Sequence, residues 1–198
     1  IYDKCQGEFS TFRYNFIHHC FKGIAAQSYN LGDAVRNHPD ITIHDNVIAY
    51  NASISDVTEG VSSSDRMKIY NNTLYTGNRQ IAGVDLGGGV EKEFYNNIVY
   101  GLKRDNDVAL LRFWPGNGTT AMPVTIKSCD HNQFGNLANN FLIRFRLPNT
   151  PSTEWSNFRN LEQWQASTVL MDNSHPGMGS LASNPGFLNA SGTMSELN

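Results

Sequence analysis

Ile69-Tyr70-Asn71-Asn72-Thr73-Leu74-Tyr75 and Phe94-Tyr95-Asn96-Asn97-Ile98-Val99-Tyr100 are two copies of one phrase, 25 residues apart from Asn72 to Asn97. A short period of this kind marks an architecture of stacked repeats. With the second Asn of the phrase as a register mark, Asn15, Asn46, Asn72, Asn97 and Asn132 align, at spacings of 31, 26, 25 and 35 residues. Three residues before each mark stands Phe12, Ile43, Ile69, Phe94 or Cys129. Two residues after it stands Ile17, Ile48, Leu74, Val99 or Phe134. All of these flanking positions are apolar, and the outer copies are weaker than the middle ones, as terminal repeats are.

The local chemistry predicts strand, tight corner, strand. Ile41-Thr42-Ile43 and Met67-Lys68-Ile69 alternate apolar and polar with a period of two, which suits a strand with one buried face. Asn tolerates the left-handed backbone of a tight corner, and its amide bonds nearby backbone groups. A further strand is expected in each repeat, over Ile81–Leu86 and Val108–Phe113. Ser62-Ser63-Ser64-Asp65 and Gly87-Gly88-Gly89 read as loops.

The apolar-x-x-Asn-x-apolar phrase at these intervals resembles the right-handed parallel β-helix superfamily, often called pectin-lyase-like. The resemblance covers residues 10–147. It implies an all-β solenoid whose corner asparagines, here Asn15, Asn46, Asn72, Asn97 and Asn132, form a hydrogen-bonded ladder. Adjacent strands lie about 4.8 Å apart, so five marks span about 20 Å. The expected organisation is parallel β-helix coils over 1–147 and a cap over 148–198, together one domain. Pro148 and Pro151 break the last strand. Phe158, Leu161 and Trp164 recur at helical spacing, so 157–165 is expected to be a short amphipathic helix, capped by Asn157 or Asn160, over an open end or side of the stack. Asn184-Pro185-Gly186-Phe187 resembles the closing phrase of many bacterial β-helix proteins, which packs on the last coil.

The bulk composition narrows the class. The chain has 198 residues, 39% of them hydrophobic and 17% charged, with a net charge of −3. That is enough apolar surface for one core and unlike a disordered chain. Nucleic acid is not the expected partner of such a charge, and no apolar run is long enough to span a bilayer. The opening IYDKCQGEF reads as the middle of a repeat, so residues upstream are expected to be missing. Cys5, Cys20 and Cys129 carry no metal-binding spacing. They read as buried small hydrophobes, with a Cys5–Cys20 disulfide as the alternative. His18, His19, His44 and His131 adjoin the asparagine marks and read as turn residues. No metal cluster is visible, and the matches to the glycosylation sequon, such as Asn71-Asn72-Thr73, are expected by chance in so Asn-rich a chain.

Candidate chemistry comes from aligning the further strands. In Val84-Asp85-Leu86 and Leu111-Arg112-Phe113 the apolar neighbours point inward, which turns Asp85 and Arg112 outward. In Phe141-Leu142-Ile143-Arg144-Phe145-Arg146-Leu147 the odd-numbered residues share one face, leaving Arg144 and Arg146 on the other. Asp56, Asp85, Arg112 and Arg144 or Arg146 would then stack along one outer face. Lys103 and Arg104 would overhang it from a loop, and Trp114 would lie just past Arg112 as a sugar platform. Guanidinium groups bind carboxylates bidentately, and carboxylates hold Ca²⁺ or act as acid and base. The alternative is a structural Asp85–Arg112 bridge across strands. Tyr70, Tyr75, Tyr95 and Tyr100 follow the repeat and read as stacked ladders.

The resemblance implies a secreted or cell-surface carbohydrate-active protein, lyase-like or hydrolase-like, acting on an acidic polysaccharide. Arg112 and Asp85 would be catalytic, and Arg144, Arg146, Trp114, Lys103 and Arg104 would bind substrate. In lyases of the superfamily a basic residue removes the proton next to the uronate carboxyl group, which Ca²⁺ or an Arg neutralises. The chain shows no Asp cluster of a lyase Ca²⁺ site. Two alternatives stand beside this reading: a non-catalytic glycan-binding or adhesin-type module, and a fragment of a longer solenoid.

Overall fold

The computed structural model describes residues 1–5, 9–20, 23–28, 40–49, 54–55, 66–76, 82–87, 89–101, 109–114, 124–135, 141–147, 151, 154–167 and 179–182. The chain opens with β1 (Tyr2–Cys5). Five triplets of strands follow. The first is β2 (Phe9–Arg13), β3 (Phe16–His18) and β4 (Ile24–Ser28). The second is β5 (Asp40–His44), β6 (Val47–Ala49) and β7 (Ile54–Ser55). Then come β8 (Lys68–Tyr70), β9 (Thr73–Thr76) and β10 (Ala82–Leu86), and β11 (Gly89–Tyr95), β12 (Ile98–Gly101) and β13 (Ala109–Phe113). The last triplet is β14 (Val124–Asp130), β15 (Gln133–Gly135) and β16 (Phe141–Phe145). The chain continues through β17 (Ser156–Phe158), α1 (Leu161–Gln165) and β18 (Leu181–Ala182).

Every third strand joins the same sheet. The first sheet runs β1-β4-β7-β10-β13-β16-β17, the second β14-β11-β8-β5-β2, and the third β18-β15-β12-β9-β6-β3. The pairs are parallel, apart from β16 with β17. The molecule is therefore mostly β, with three parallel sheets each built from one strand per repeat. The strands expected at Ile81–Leu86 and Val108–Phe113 are β10 and β13. Gly89, expected in a loop, instead opens β11.

The apolar positions of the phrase stack in register. Phe12, Ile43, Ile69, Phe94 and Cys129 form one column. Ile17, Ile48, Leu74, Val99 and Phe134 form another. Within each column every residue but the first is fully buried or nearly so, and these residues form most of one core. Burying a side chain of this size contributes about 1.5–3 kcal/mol. Phe12 and Ile17 are only partly buried, because among the described residues no further strand lies beyond β2 and β3. Lys92 is turned inward by the same parity that buries Phe94, opposite Ile126.

The corner of each phrase is a two-residue device. The residue before each mark takes the left-handed conformation: Tyr14, Asp45, Asn71, Asn96 and His131 have φ between 54° and 59°. That conformation costs an L-residue about 1–2 kcal/mol. It turns the chain so that the following Asn points into the stack. Asn15 Nδ2 donates to Asn46 Oδ1 at 2.9 Å, Asn46 to Asn72 at 2.9 Å, Asn72 to Asn97 at 3.0 Å and Asn97 to Asn132 at 3.1 Å. Each accepting Oδ1 also takes the backbone N–H of the preceding Asn. The Nδ2 groups reach backbone carbonyls as well; Asn97, for example, donates to Ile69 and Tyr95. Beyond Asn132, Ser180 Oγ accepts from its backbone N–H at 3.0 Å and takes the place of the next Asn. Gly179 sets up that contact: it sits at φ 66°, and a Cβ there would meet the His131 ring at 2.5 Å.

The aromatic residues stack as expected. Tyr70 lies 5.1 Å from Tyr95, and Tyr75 lies 5.5 Å from Tyr100, each pair nearly parallel. His44 extends the first stack at 4.8 Å from Tyr70. The cap differs in part from the reading of 157–165 as helix. Residues 156–158 form β17, antiparallel to β16, and α1 begins at Leu161 with Asn160 as its N-cap. Phe158 stacks on Phe145 at 5.2 Å and lies 5.4 Å from Trp164, which is fully buried. The helical spacing of Phe158, Leu161 and Trp164 did identify the residues that close the core. Cys129 is a buried free thiol, with its pKa pushed up by burial. Cys20 is exposed and free, which corrects the reading of all three cysteines as buried. The Asn184-Pro185-Gly186-Phe187 phrase lies outside the described residues. Among the described residues no helix is long and apolar enough to cross a membrane.

Candidate site: an arginine–tryptophan face on the first sheet

The outer face of the first sheet carries two neighbouring columns. The first follows from the printed register: Ser55, Asp85, Arg112, Arg144 and Asn157 lie side by side on β7, β10, β13, β16 and β17. Val84, Leu86, Leu111 and Phe113 point into the core, so Asp85 and Arg112 point outward as the alternation requires. Asp56, expected in this column, lies outside the described residues; Ser55 is the residue opposite Asp85. Two residues further along the strands, Trp114 and Arg146 follow Phe113 and Phe145, which are themselves paired. Trp155 immediately precedes β17, where the antiparallel register brings it across from Arg146.

Asp85 and Arg112 form a bidentate ion pair. Arg112 Nε donates to Asp85 Oδ1 at 2.7 Å, and Nη2 donates to Oδ2. Both side chains are only 14% exposed. Planar, charge-assisted pairs of this kind are among the stronger hydrogen-bonded contacts.

Two indoles and three guanidiniums meet beside this pair. Arg112 lies 5.7 Å from the Trp114 ring and 5.5 Å from the Trp155 ring. Arg146 lies 5.8 Å from Trp114 and 5.5 Å from Trp155. Arg144 lies 4.9 Å from Trp155. Trp114 is 6% exposed, and its buried Nε1 has no hydrogen-bond partner among the described residues. Trp155 is partly exposed and is the indole that solvent reaches. Arg146 is buried, while Arg144 is partly exposed.

Five of the expected site residues, Asp85, Arg112, Trp114, Arg144 and Arg146, thus come together. Lys103 and Arg104 lie outside the described residues. The face also divides along its strands. Leu110 and Leu142 point outward by parity yet are fully buried, so the accessible polar part is confined to the end bearing Arg144 and Trp155. Trp155 was not singled out by the sequence reading. The missed signal was the return of the chain: a strand over 141–145 followed, past Pro148 and Pro151, by a short strand over 156–158 that pairs with it antiparallel.

A second polar cluster sits at the corner between β5 and β6. Asp45 Oδ2 lies 2.7 Å from His44 Nδ1, and this bond together with one from Asn71 holds the Asp45 carboxyl below its ordinary range. Among the described residues no group of three or more His, Cys, Asp or Glu is placed to hold a metal ion. Comparison of the chain with protein-family models, with curated proteins and with solved structures finds no match.

Proposed function

We propose that the chain is a right-handed parallel β-helix of the pectin-lyase-like kind, secreted or carried at a cell surface, that holds an acidic polysaccharide against the outer face of its first sheet. Support for the solenoid comes from the three parallel sheets with one strand per repeat and from the five-member asparagine ladder. The binding reading is carried by one observation: the guanidiniums of Arg112, Arg144 and Arg146 all lie within 5.5 Å of the partly exposed Trp155 ring. A guanidinium fork matches a carboxylate, and an indole offers a flat apolar surface to a sugar ring. Together they suit a chain of carboxylated sugars.

The Asp85–Arg112 pair favours binding over proton abstraction. Arg112 already donates Nε and Nη2 to the Asp85 carboxylate, so the two side chains are engaged with each other rather than with a reacting carbon. Arg112 and Asp85 then brace the face, and Arg144 takes the sugar carboxylate.

The test is to titrate the folded protein with polygalacturonate, alginate and a glycosaminoglycan, with and without Ca²⁺. Calorimetry would follow binding, ultraviolet absorbance would follow unsaturated product, and a reducing-end assay would follow hydrolysis. Saturable binding to at least one polymer without product is expected. Growth of the ultraviolet absorbance would reassign the face to a lyase, and reducing ends alone would reassign it to a hydrolase. No binding to any of the polymers would overturn the reading.

A further inference from the structure

We propose that the end of the stack formed by β2 and β3 is a docking edge for one further strand–corner–strand unit, a partner polypeptide segment that carries the apolar-x-x-Asn-x-apolar phrase and lies parallel to them. The edge is separate from the arginine–tryptophan face, and the proposal does not rest on the polysaccharide reading.

The asparagine ladder has a direction. Each rung after the first is met from the preceding coil in two ways. Its Oδ1 accepts the Nδ2 and the backbone N–H of the preceding Asn, as Asn46 Oδ1 does from Asn15 at 2.9 and 3.1 Å. Its Nδ2 donates to the carbonyl three residues before that preceding Asn: Asn46 to Phe12 at 3.0 Å, Asn72 to Ile43 at 2.9 Å, Asn97 to Ile69 at 2.9 Å and Asn132 to Phe94 at 3.0 Å. Asn15 has neither contact. Its Nδ2 reaches Asn46 and the Arg13 carbonyl, and among the described residues nothing donates to its Oδ1.

The apolar surface points the same way. Phe12 and Ile17 are only partly buried, where every later member of their columns is buried. Phe9, Tyr14 and Phe16 are the most exposed large hydrophobic side chains among the described residues, at 73%, 71% and 67%. β2 and β3 stand last in their sheets, and an edge strand presents a row of backbone N–H and C=O groups to an incoming strand. A segment that fits must bring an Asn amide and N–H to Asn15 Oδ1 and a carbonyl three residues earlier to Asn15 Nδ2. It must also bring apolar side chains to Phe12 and Ile17. The phrase has all of these at its own spacing.

A second copy of the molecule does not supply them. At its opposite end Ser180, whose side chain carries no amide, stands in the place of the next Asn, and the antiparallel β17 closes the first sheet. Turned end to end, the copy would run its β2 and β3 against the parallel register that sets the spacing of amide and carbonyl.

The test titrates the full chain by calorimetry with a capped synthetic peptide copying residues 91–101, and with the same peptide carrying Asn97→Leu. The peptide is net negative, as the protein is, so bulk attraction of charge would not bring them together. Saturable one-to-one binding of the unchanged peptide is expected, with hydrogen exchange slowed in β2 and β3 and unaltered in β16. The Asn97→Leu peptide keeps the apolar pattern and loses the amide that meets Asn15, so it should bind about tenfold more weakly. Asn15→Leu in the protein, once a thermal melt shows that it folds, should weaken the unchanged peptide by a similar factor; if it does not fold, the two peptides decide the matter on wild type. No binding of the unchanged peptide, equal binding of the two peptides, or slowed exchange outside β2 and β3 would overturn the proposal. A stable dimer of the protein alone in sedimentation, with β2 and β3 protected, would assign the edge to a second copy and overturn it as well.

Discussion

The asparagine corner and the arginine–tryptophan face are both columns of polar side chains stacked across parallel strands, and they handle their polarity in opposite ways. At the corner each interior Asn spends its amide on its own kind and on the backbone. Its oxygen accepts twice and its nitrogen reaches the next Asn and nearby carbonyls, all inside the buried stack. At the face the column changes residue type from Asp85 to Arg112 to Arg144. It holds the Asp85–Arg112 ion pair and gathers three guanidiniums around two indoles. A column that repeats one residue in register is saturated by itself. A column that breaks the repeat while staying in register leaves chemistry to be directed outward.

The largest test of that contrast is Asn97→Leu. It removes the acceptor for two donors of Asn72 and the donor for the carbonyls of Ile69 and Tyr95. Buried unsatisfied groups cost about 1–3 kcal/mol each, so a loss of about 4 kcal/mol or more in urea unfolding is expected. A loss below about 1 kcal/mol would show that the ladder is incidental to stability. Asp85→Asn is smaller. It weakens a mostly buried, charge-assisted pair, at a cost of about 1–2 kcal/mol. It also adds positive charge to the face, so affinity for polygalacturonate should rise while stability falls. Arg144→Ala should be smaller still in stability, about 1 kcal/mol or less with the loss of its contact to the Trp155 ring, and its larger effect should be on binding.

The smallest expected effect separates a corner charge from the corner amides. The carboxyl group of Asp45 is depressed below its ordinary value near 3.8, chiefly by its bond to His44. A depressed carboxyl contributes stability that is present above its unfolded value and lost as pH falls through its folded value. Asp45→Asn should therefore give up that small contribution at neutral pH and, having nothing left to lose there, lessen the fall in stability below pH 3.8. Acid unfolding curves of the two proteins would show it. Identical acid limbs would mean that the His44 contact carries no linkage.

The sequence made the corner more legible than the face, for a physical reason. Stacking demands the same side chain at each rung, so Asn15, Asn46, Asn72, Asn97 and Asn132 announce themselves by recurrence, with their apolar partners at fixed offsets. The left-handed residue of the corner did not stand out, because Tyr14, Asp45 and His131 occupy it as well as Asn71 and Asn96. Asp85, Arg112, Arg144 and Arg146 were visible through period-two alternation alone, and the register of β10, β13 and β16 kept them together. Trp155 obeys no repeat. It stands just before a return strand that pairs antiparallel, and its meeting with the arginines depends on the register of that pairing. Lys92 was hidden for the opposite reason: a charged residue at an inward position contradicts the alternation that identified its neighbours.

The central claim is that the outer face of the first sheet binds an acidic polysaccharide through Arg144 beside the Trp155 ring. The most direct measurement is the affinity of wild type and Arg144→Ala for polygalacturonate by calorimetry, alongside their urea unfolding curves. The account predicts saturable binding by wild type, a loss of about tenfold in Arg144→Ala, and unfolding curves that differ by about 1 kcal/mol or less. Equal affinity of the two proteins, or no binding by folded wild type, would contradict it.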